Sequence, residues 1–188
     1  MTGFAHAFEQ LLAVMDTLEI PYFVGGSVAS GSYGLPRQTK DVDIVAEFRN
    51  TDLAVFCELL QQEFYVDLET ARAAIKDRRS FNAIHLKGAF KFDFFPVSDA
   101  FTQSELGRKR FIMSAIPGLE NMHFPIASPE DTVLAKLVWF RKGGEVSDRQ
   151  WHDILGILKV QSKRLDFEYL RNWAARLSVS DLLEKALA

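Results

Sequence analysis

Residues 22–45 read YFVGGSVASGSYGLPRQTKDVDIV, and this stretch decides the fold. Tyr22-Phe23-Val24 is a short strand signal stopped by Gly25-Gly26. Residues 27–34 read as a short helix ending near Gly34, and Leu35 to Lys40 as a polar loop. Val42, Ile44 and Val45 then mark a second strand, which carries Asp41 and Asp43.

Gly25 and Gly26 lie between strand and helix, where the lack of a side chain lets a ligand approach the backbone. The N–H groups opening the helix face that ligand, and the helix dipole favours an anion. Ser27 adds a hydroxyl for a phosphate oxygen. By itself the same tripeptide also suits a plain tight turn with Ser27 as N-cap. Alternate residues of a strand point the same way, so Asp41 and Asp43 project together. Two adjacent carboxylates repel unless a cation joins them, and hard oxygen ligands suit Mg²⁺ or Mn²⁺. A solvent-facing strand would carry such a pair equally well.

A third acid changes the balance. Asp93 sits in Lys91-Phe92-Asp93-Phe94-Phe95, among phenylalanines that read as packing, where a charge is rare unless paired or liganded. If its strand lies beside residues 41–44, the three carboxylates converge. That is what a two-metal phosphoryl-transfer site needs: one ion activates an attacking hydroxyl, the other neutralises a triphosphate.

Outward from this centre, residues 3–19 carry apolar side chains at helical spacing. Helices fit 51–63 and 69–76, and strands fit 81–86 and 90–97 around a turn at Lys87-Gly88. One or two helical turns fit 100–107; short strands fit 111–113 and 123–126. After about residue 127 the pattern turns helical, opening on Ser128-Pro129-Glu130-Asp131, a cap, a proline and two acids. The expected division is therefore 1–127 and 128–188. Within the second part, Arg149 and Asp153 are spaced to pair across one helical turn, and Trp139 and Trp151 read as core.

The 188 residues carry a net charge of -3, which argues against a generally basic nucleic-acid-binding surface. The one tight basic cluster, Arg108-Lys109-Arg110, reads as a solvated strand or turn. The single Cys57, in an apolar stretch, reads as a small buried hydrophobe. No window approaches a membrane span, and residues 1–16 lack the pattern of a signal peptide; no membrane partner and a cytoplasmic location are expected.

Val24-Gly25-Gly26-Ser27, a short helix, Asp41-Val42-Asp43-Ile44 and the later Asp93 resemble the signature of the DNA-polymerase-beta-like nucleotidyltransferase superfamily. Arg37-Gln38-Thr39-Lys40-Asp41 looks like the Arg-x-Thr-x-Asp approach of bacterial branches. Ser128 to Asp131, Lys136 and Asp148 to Ile154 are similar to the second half of abortive-infection-type nucleotidyltransferase toxins, although the order Asp148-Arg149 departs from their Arg-Asp-x-x-Asp. The resemblance implies an α+β nucleotidyltransferase fold, a mixed sheet flanked by helices with a C-terminal helical bundle. It implies a nucleoside triphosphate, two Mg²⁺ or Mn²⁺ ions, and transfer of a nucleoside monophosphate to an acceptor hydroxyl on tRNA, protein or a small molecule. Asp41, Asp43 and Asp93 would hold the metals; Gly25, Gly26, Ser27, Arg37, Lys40 and Lys136 would face the nucleotide. In the toxin branch a cognate antitoxin would be a further partner. The rival readings are a catalytically silent nucleotide- or partner-binding protein of the same fold, and an α+β domain whose acids are surface charges.

Overall fold

The computed structural model describes residues 3–36, 39 and 41–188. In chain order the elements are α1 (Gly3–Thr17), β1 (Tyr22–Val24), α2 (Gly26–Tyr33), β2 (Asp41–Ala46), α3 (Asn50–Leu60), β3 (Phe64–Tyr65), α4 (Leu68–Lys76), β4 (Phe81–His85) and β5 (Lys91–Pro96). They continue as α5 (Ala100–Arg108), β6 (Arg110–Met113), β7 (His123–Ile126), α6 (Pro129–Lys142), α7 (Asp148–Gln161), α8 (Phe167–Arg176) and α9 (Ser180–Leu187). The strands form one mixed sheet in the order β3-β4-β5-β2-β1-β7-β6. The α+β expectation is borne out. The two-residue β3 has no counterpart in the sequence reading, because two residues are too few to show a period.

Strand alternation sorts side chains between two hydrophobic clusters. One packs α1, α3 and α4 against the sheet face bearing Val42, Ile44, Phe92 and Phe94. Phe92 lies among Phe4, Phe8 and Phe64, with ring centroids 5.8–6.2 Å away. Phe94 lies among Phe48, Phe56 and Phe81 at 5.0–5.9 Å. Both are fully buried. A one-residue slip of β5 would expose both rings and bury Asp93, at roughly 1.5–3 kcal/mol per ring before the charge is counted. The aromatic core therefore fixes which way Asp93 faces. Cys57 lies in the same cluster, and burial pushes its thiol up to about 11, leaving it inert at neutral pH.

The second cluster joins α6 to α9 to Ala29 and Tyr33 of α2, Phe101 of α5 and Ile126 of β7. Helices α2 and α7 approach closely: a Cβ on Gly34 would stand 3.1 Å from the backbone N of Ile157. Gln161 Nε2 donates to the Tyr33 carbonyl at 2.9 Å. Ser128 caps α6 by accepting from the Asp131 N–H, as the sequence suggests, but Glu130 and Asp131 are buried as well as placed at the helix start. Arg108 reaches Asp131 at 3.3 Å and Glu130 at 3.2 Å, and Arg110 reaches Glu130 at 3.7 Å. Tyr169 donates to Asp131 at 2.6 Å. The basic cluster is thus not merely solvated; two of its members neutralise buried acids. Among the described residues no helix is long and apolar enough to cross a membrane.

Glu105 is buried beside this network. Burial first, then the charges of Asp131 and Asp99, hold its carboxyl well above its ordinary 4.5. Its folded value exceeds its unfolded one, so its contribution to stability is complete below the ordinary carboxylate range and is lost as pH rises through the folded value. Glu105→Gln keeps the neutral form at every pH. Thermal melting should show a gain over the parent protein that is absent in acid and grows toward neutral and alkaline pH.

Candidate active site

Strand β1 ends at Val24, and the next residue, Gly25, donates its N–H to the Asp43 carbonyl at 2.8 Å, which extends the antiparallel β1–β2 pairing by one residue. Gly25 is also the N-cap of α2, and no side chain caps the first turn. Gly26 has φ +53, in the left-handed region, and a Cβ there would stand 1.7 Å from Asp43 Oδ2. The second glycine thus makes room for the protein's own carboxylate as well as leaving the backbone bare. Ser27 is not the cap: it stands inside the first turn of α2, with its hydroxyl 3.0 Å from that of Thr39. Thr39 donates its single proton to the Asp41 carbonyl at 2.9 Å, so Ser27 is the donor to Thr39. This chain of bonds ties the start of α2 to the start of β2.

Strands β2 and β5 are parallel and in register, with Asp41 opposite Lys91 and Asp43 opposite Asp93. All four side chains project from the face opposite Phe92 and Phe94. Asp41 is exposed, Asp43 half-buried, and Asp93 has 17% of its side chain exposed. Burial raises the Asp43 carboxyl above its ordinary 3.8; Asp93 and then Asp41 push it further, opposed by Lys136 and Lys91. Lys91 lies 2.7 Å from one Asp93 oxygen and 2.9 Å from the other. Among the described residues no three His, Cys, Asp or Glu side chains are gathered into a metal cage. The donor chemistry nevertheless fits a hard divalent ion: three carboxylates share one sheet face, and half-buried Asp43 is destabilised by its neighbours' charge. Asp41, Asp43 and Asp93 are the residues that could hold it.

Lys136 comes from α6 and is buried; its ammonium bonds Asp153 of α7 at 2.9 Å. Asp153 also accepts from Ser30 of α2 at 3.2 Å. Spacing along α7 offers Arg149, one turn away, as the partner of Asp153; the bonds to Lys136 and Ser30 carry Asp153 across to α6 and α2. Asp148 is exposed at the first turn of α7. Arg37 and Lys40 lie outside the described residues. Trp151 is partly buried against Phe140, but Trp139, expected in the core, is 50% exposed and meets Phe95, with ring centroids 6.0 Å apart. Phe95 is the next residue after Asp93 on the same sheet face.

Sequence reasoning did not single out Lys91 or Thr39. A lysine two residues from Asp93 in one strand was a legible signal for a same-face pair. The threonine bond, between residues far along a loop, left none.

No family model matches the sequence, and no curated protein does. Solved structures match over most of the chain. A crystal structure of ANT(2'')-Ia in complex with adenylyl-2''-tobramycin is 14% identical, with TM-score 0.61, covering 94% of this chain and 98% of that one. The lincosamide antibiotic adenylyltransferase LnuA, lincomycin-bound, is 14% identical, with TM-score 0.54 over 82% and 96%. An antigenic nucleotidyltransferase-like protein from Paracoccidioides brasiliensis is 14% identical, with TM-score 0.59 over 98% and 90%. At these identities the likeness is one of fold.

Two substitutions test this geometry through stability. Gly26→Ala should lower the melting temperature by roughly 2–8 °C, from the left-handed backbone penalty of about 1–2 kcal/mol, with more lost if Asp43 must move. Asp43→Asn should act in the opposite direction. The folded carboxyl lies above its unfolded value, so stability is lost as pH rises through the folded value. In chelator, the asparagine variant should melt higher than the parent at neutral pH and equally in strong acid.

Proposed function

We propose that this chain, which has the nucleotidyltransferase fold, is a metal-dependent nucleotidyltransferase moving a nucleoside monophosphate from a nucleoside triphosphate to an acceptor hydroxyl. One observation carries the reading: Asp43 and Asp93 stand in register on adjacent parallel strands, beneath the uncapped first turn of α2. The N–H groups of that turn, bared by Gly25 and Gly26 and aided by Ser27, hold the triphosphate. Lys136, fixed by Asp153, supplies positive charge on the side of Asp43. Arg37 and Lys40 are assigned to the same polyphosphate on their place in the sequence alone.

In the transfer, the acceptor oxygen forms a bond to the α-phosphorus. The bond from that phosphorus to the bridging oxygen breaks, and pyrophosphate leaves with the electron pair. An Asp93 oxygen takes the hydroxyl proton. Mg²⁺ or Mn²⁺ bound at Asp41, Asp43 and Asp93, two ions in this reading, would acidify the acceptor and neutralise the triphosphate. The triphosphate side is set by α2 over β1 and β2, so the acceptor approaches from β5. There Phe95 and the half-exposed Trp139 offer a ring-stacking wall next to Asp93. A small-molecule acceptor is favoured over tRNA or protein: the net charge is -3, and the LnuA and ANT(2'')-Ia structures hold lincomycin and adenylyl-2''-tobramycin.

The second reading, a nucleotide-binding protein without turnover, is favoured by the Lys91–Asp93 pair, which neutralises the third acid without any metal. Label transfer from α-³²P-labelled triphosphates to aminoglycosides, lincosamides, tRNA and protein separates the two. Transfer should require Mg²⁺ or Mn²⁺ and fall at least about a hundredfold in Asp43→Asn and in Asp93→Asn, with both variants still folded. Binding of all four nucleotides with no transfer or pyrophosphate release would support the second reading instead.

A further inference from the structure

The two lysines at the acidic centre differ in a way that assigns them different tasks. Lys136 is buried, and its partner Asp153 is itself held by Ser30. That ammonium is locked between helices. Lys91 has 44% of its side chain exposed and reaches Asp93 along the strand they share. Its flexible stem can swing into water with no element of the fold moving. Register places it beside Asp41, on the face that carries all three carboxylates. Without it that face would hold three negative charges and no cation of its own strands.

We infer that Lys91 is a built-in, displaceable counter-cation. It closes Asp93 while the site is free of metal and competes with divalent ions for that carboxylate. This rests on the reading of Asp41, Asp43 and Asp93 as the metal-holding set. The exchange is one of ion pairs: the Lys91 ammonium leaves the two Asp93 oxygens, still protonated, and a divalent cation takes its place, with no covalent bond made or broken. A ligand that binds only the open form has its apparent affinity reduced by the fraction of molecules in that form. Lys91 therefore weakens the site for free ions and favours loading by a cation strong enough to expel it. Lys136 cannot act in this way, since moving its buried ammonium would break an ion pair that joins α6 to α7.

The test is calorimetric titration of Mn²⁺, without nucleotide, into the full chain and its Lys91→Met, Lys91→Gln and Lys91→Arg variants, with Lys159→Met as a distant control. Losing the ammonium should tighten Mn²⁺ binding by about fivefold or more in Lys91→Met and Lys91→Gln. Lys91→Arg, which keeps the charge, should stay near the parent, and so should the control. Thermal melting supplies a second readout. The Met and Gln variants should melt below the parent in chelator and draw level with it at saturating Mn²⁺, a recovery that a merely structural lysine would not produce. Equal or weaker Mn²⁺ affinity in both neutral variants overturns the inference and leaves the transferase reading standing. Absence of Mn²⁺ binding from parent and variants alike overturns both.

Discussion

The parallel, in-register pairing of β2 with β5 is the constraint on which the molecule is organised. It sets Asp43 directly opposite Asp93. Such a pair is unfavourable in itself, so the surroundings must hold it by other means. Phe92 and Phe94 do so from behind, since each centres an aromatic cluster that no other register could fill. Gly26 does so from above by giving the Asp43 carboxylate the space of a missing side chain. Lys91 and Lys136 offset the charge from two directions. The acid pair is a local conflict held in place by a well-packed fold.

Where the sequence was legible, the reason is periodicity. The amphipathic α1, the alternating β2 and β5 and the capped start of α6 announce themselves within a dozen residues each. The Gly25-Gly26-Ser27 turn and the Asp-x-Asp strand were visible for the same reason: their chemistry is local in the chain. The juxtaposition of Asp43 and Asp93 depends on which strands are neighbours, which no local pattern states; the register supplies the pairing.

What escaped depends on distance along the chain. Asp153 meets Lys136 from another helix, and Ser30 joins them from 123 residues away. Helical spacing offered Arg149 as a plausible local partner, and nothing local argued against it. Glu130 and Asp131 looked like dipole acids, because nothing in their own helix reveals that Arg108 and Tyr169 enclose them. Trp139 looked like core for the converse reason. Indole is usually buried, but its position opposite the open part of the sheet is decided by how α6 crosses Phe95.

Helix α2 belongs to both hydrophobic bodies at once. Val28 sits in the sheet cluster, while Ala29 and Tyr33 sit in the cluster made by the C-terminal helices. It is a shared wall, joined to α7 by close backbone approach at Gly34 and by the bonds of Ser30 and Gln161. Any load placed on its opening amides is borne by both rooms. The far end of the chain, though it supplies none of the three acids, is therefore fastened to the same helix whose first turn stands over Asp43.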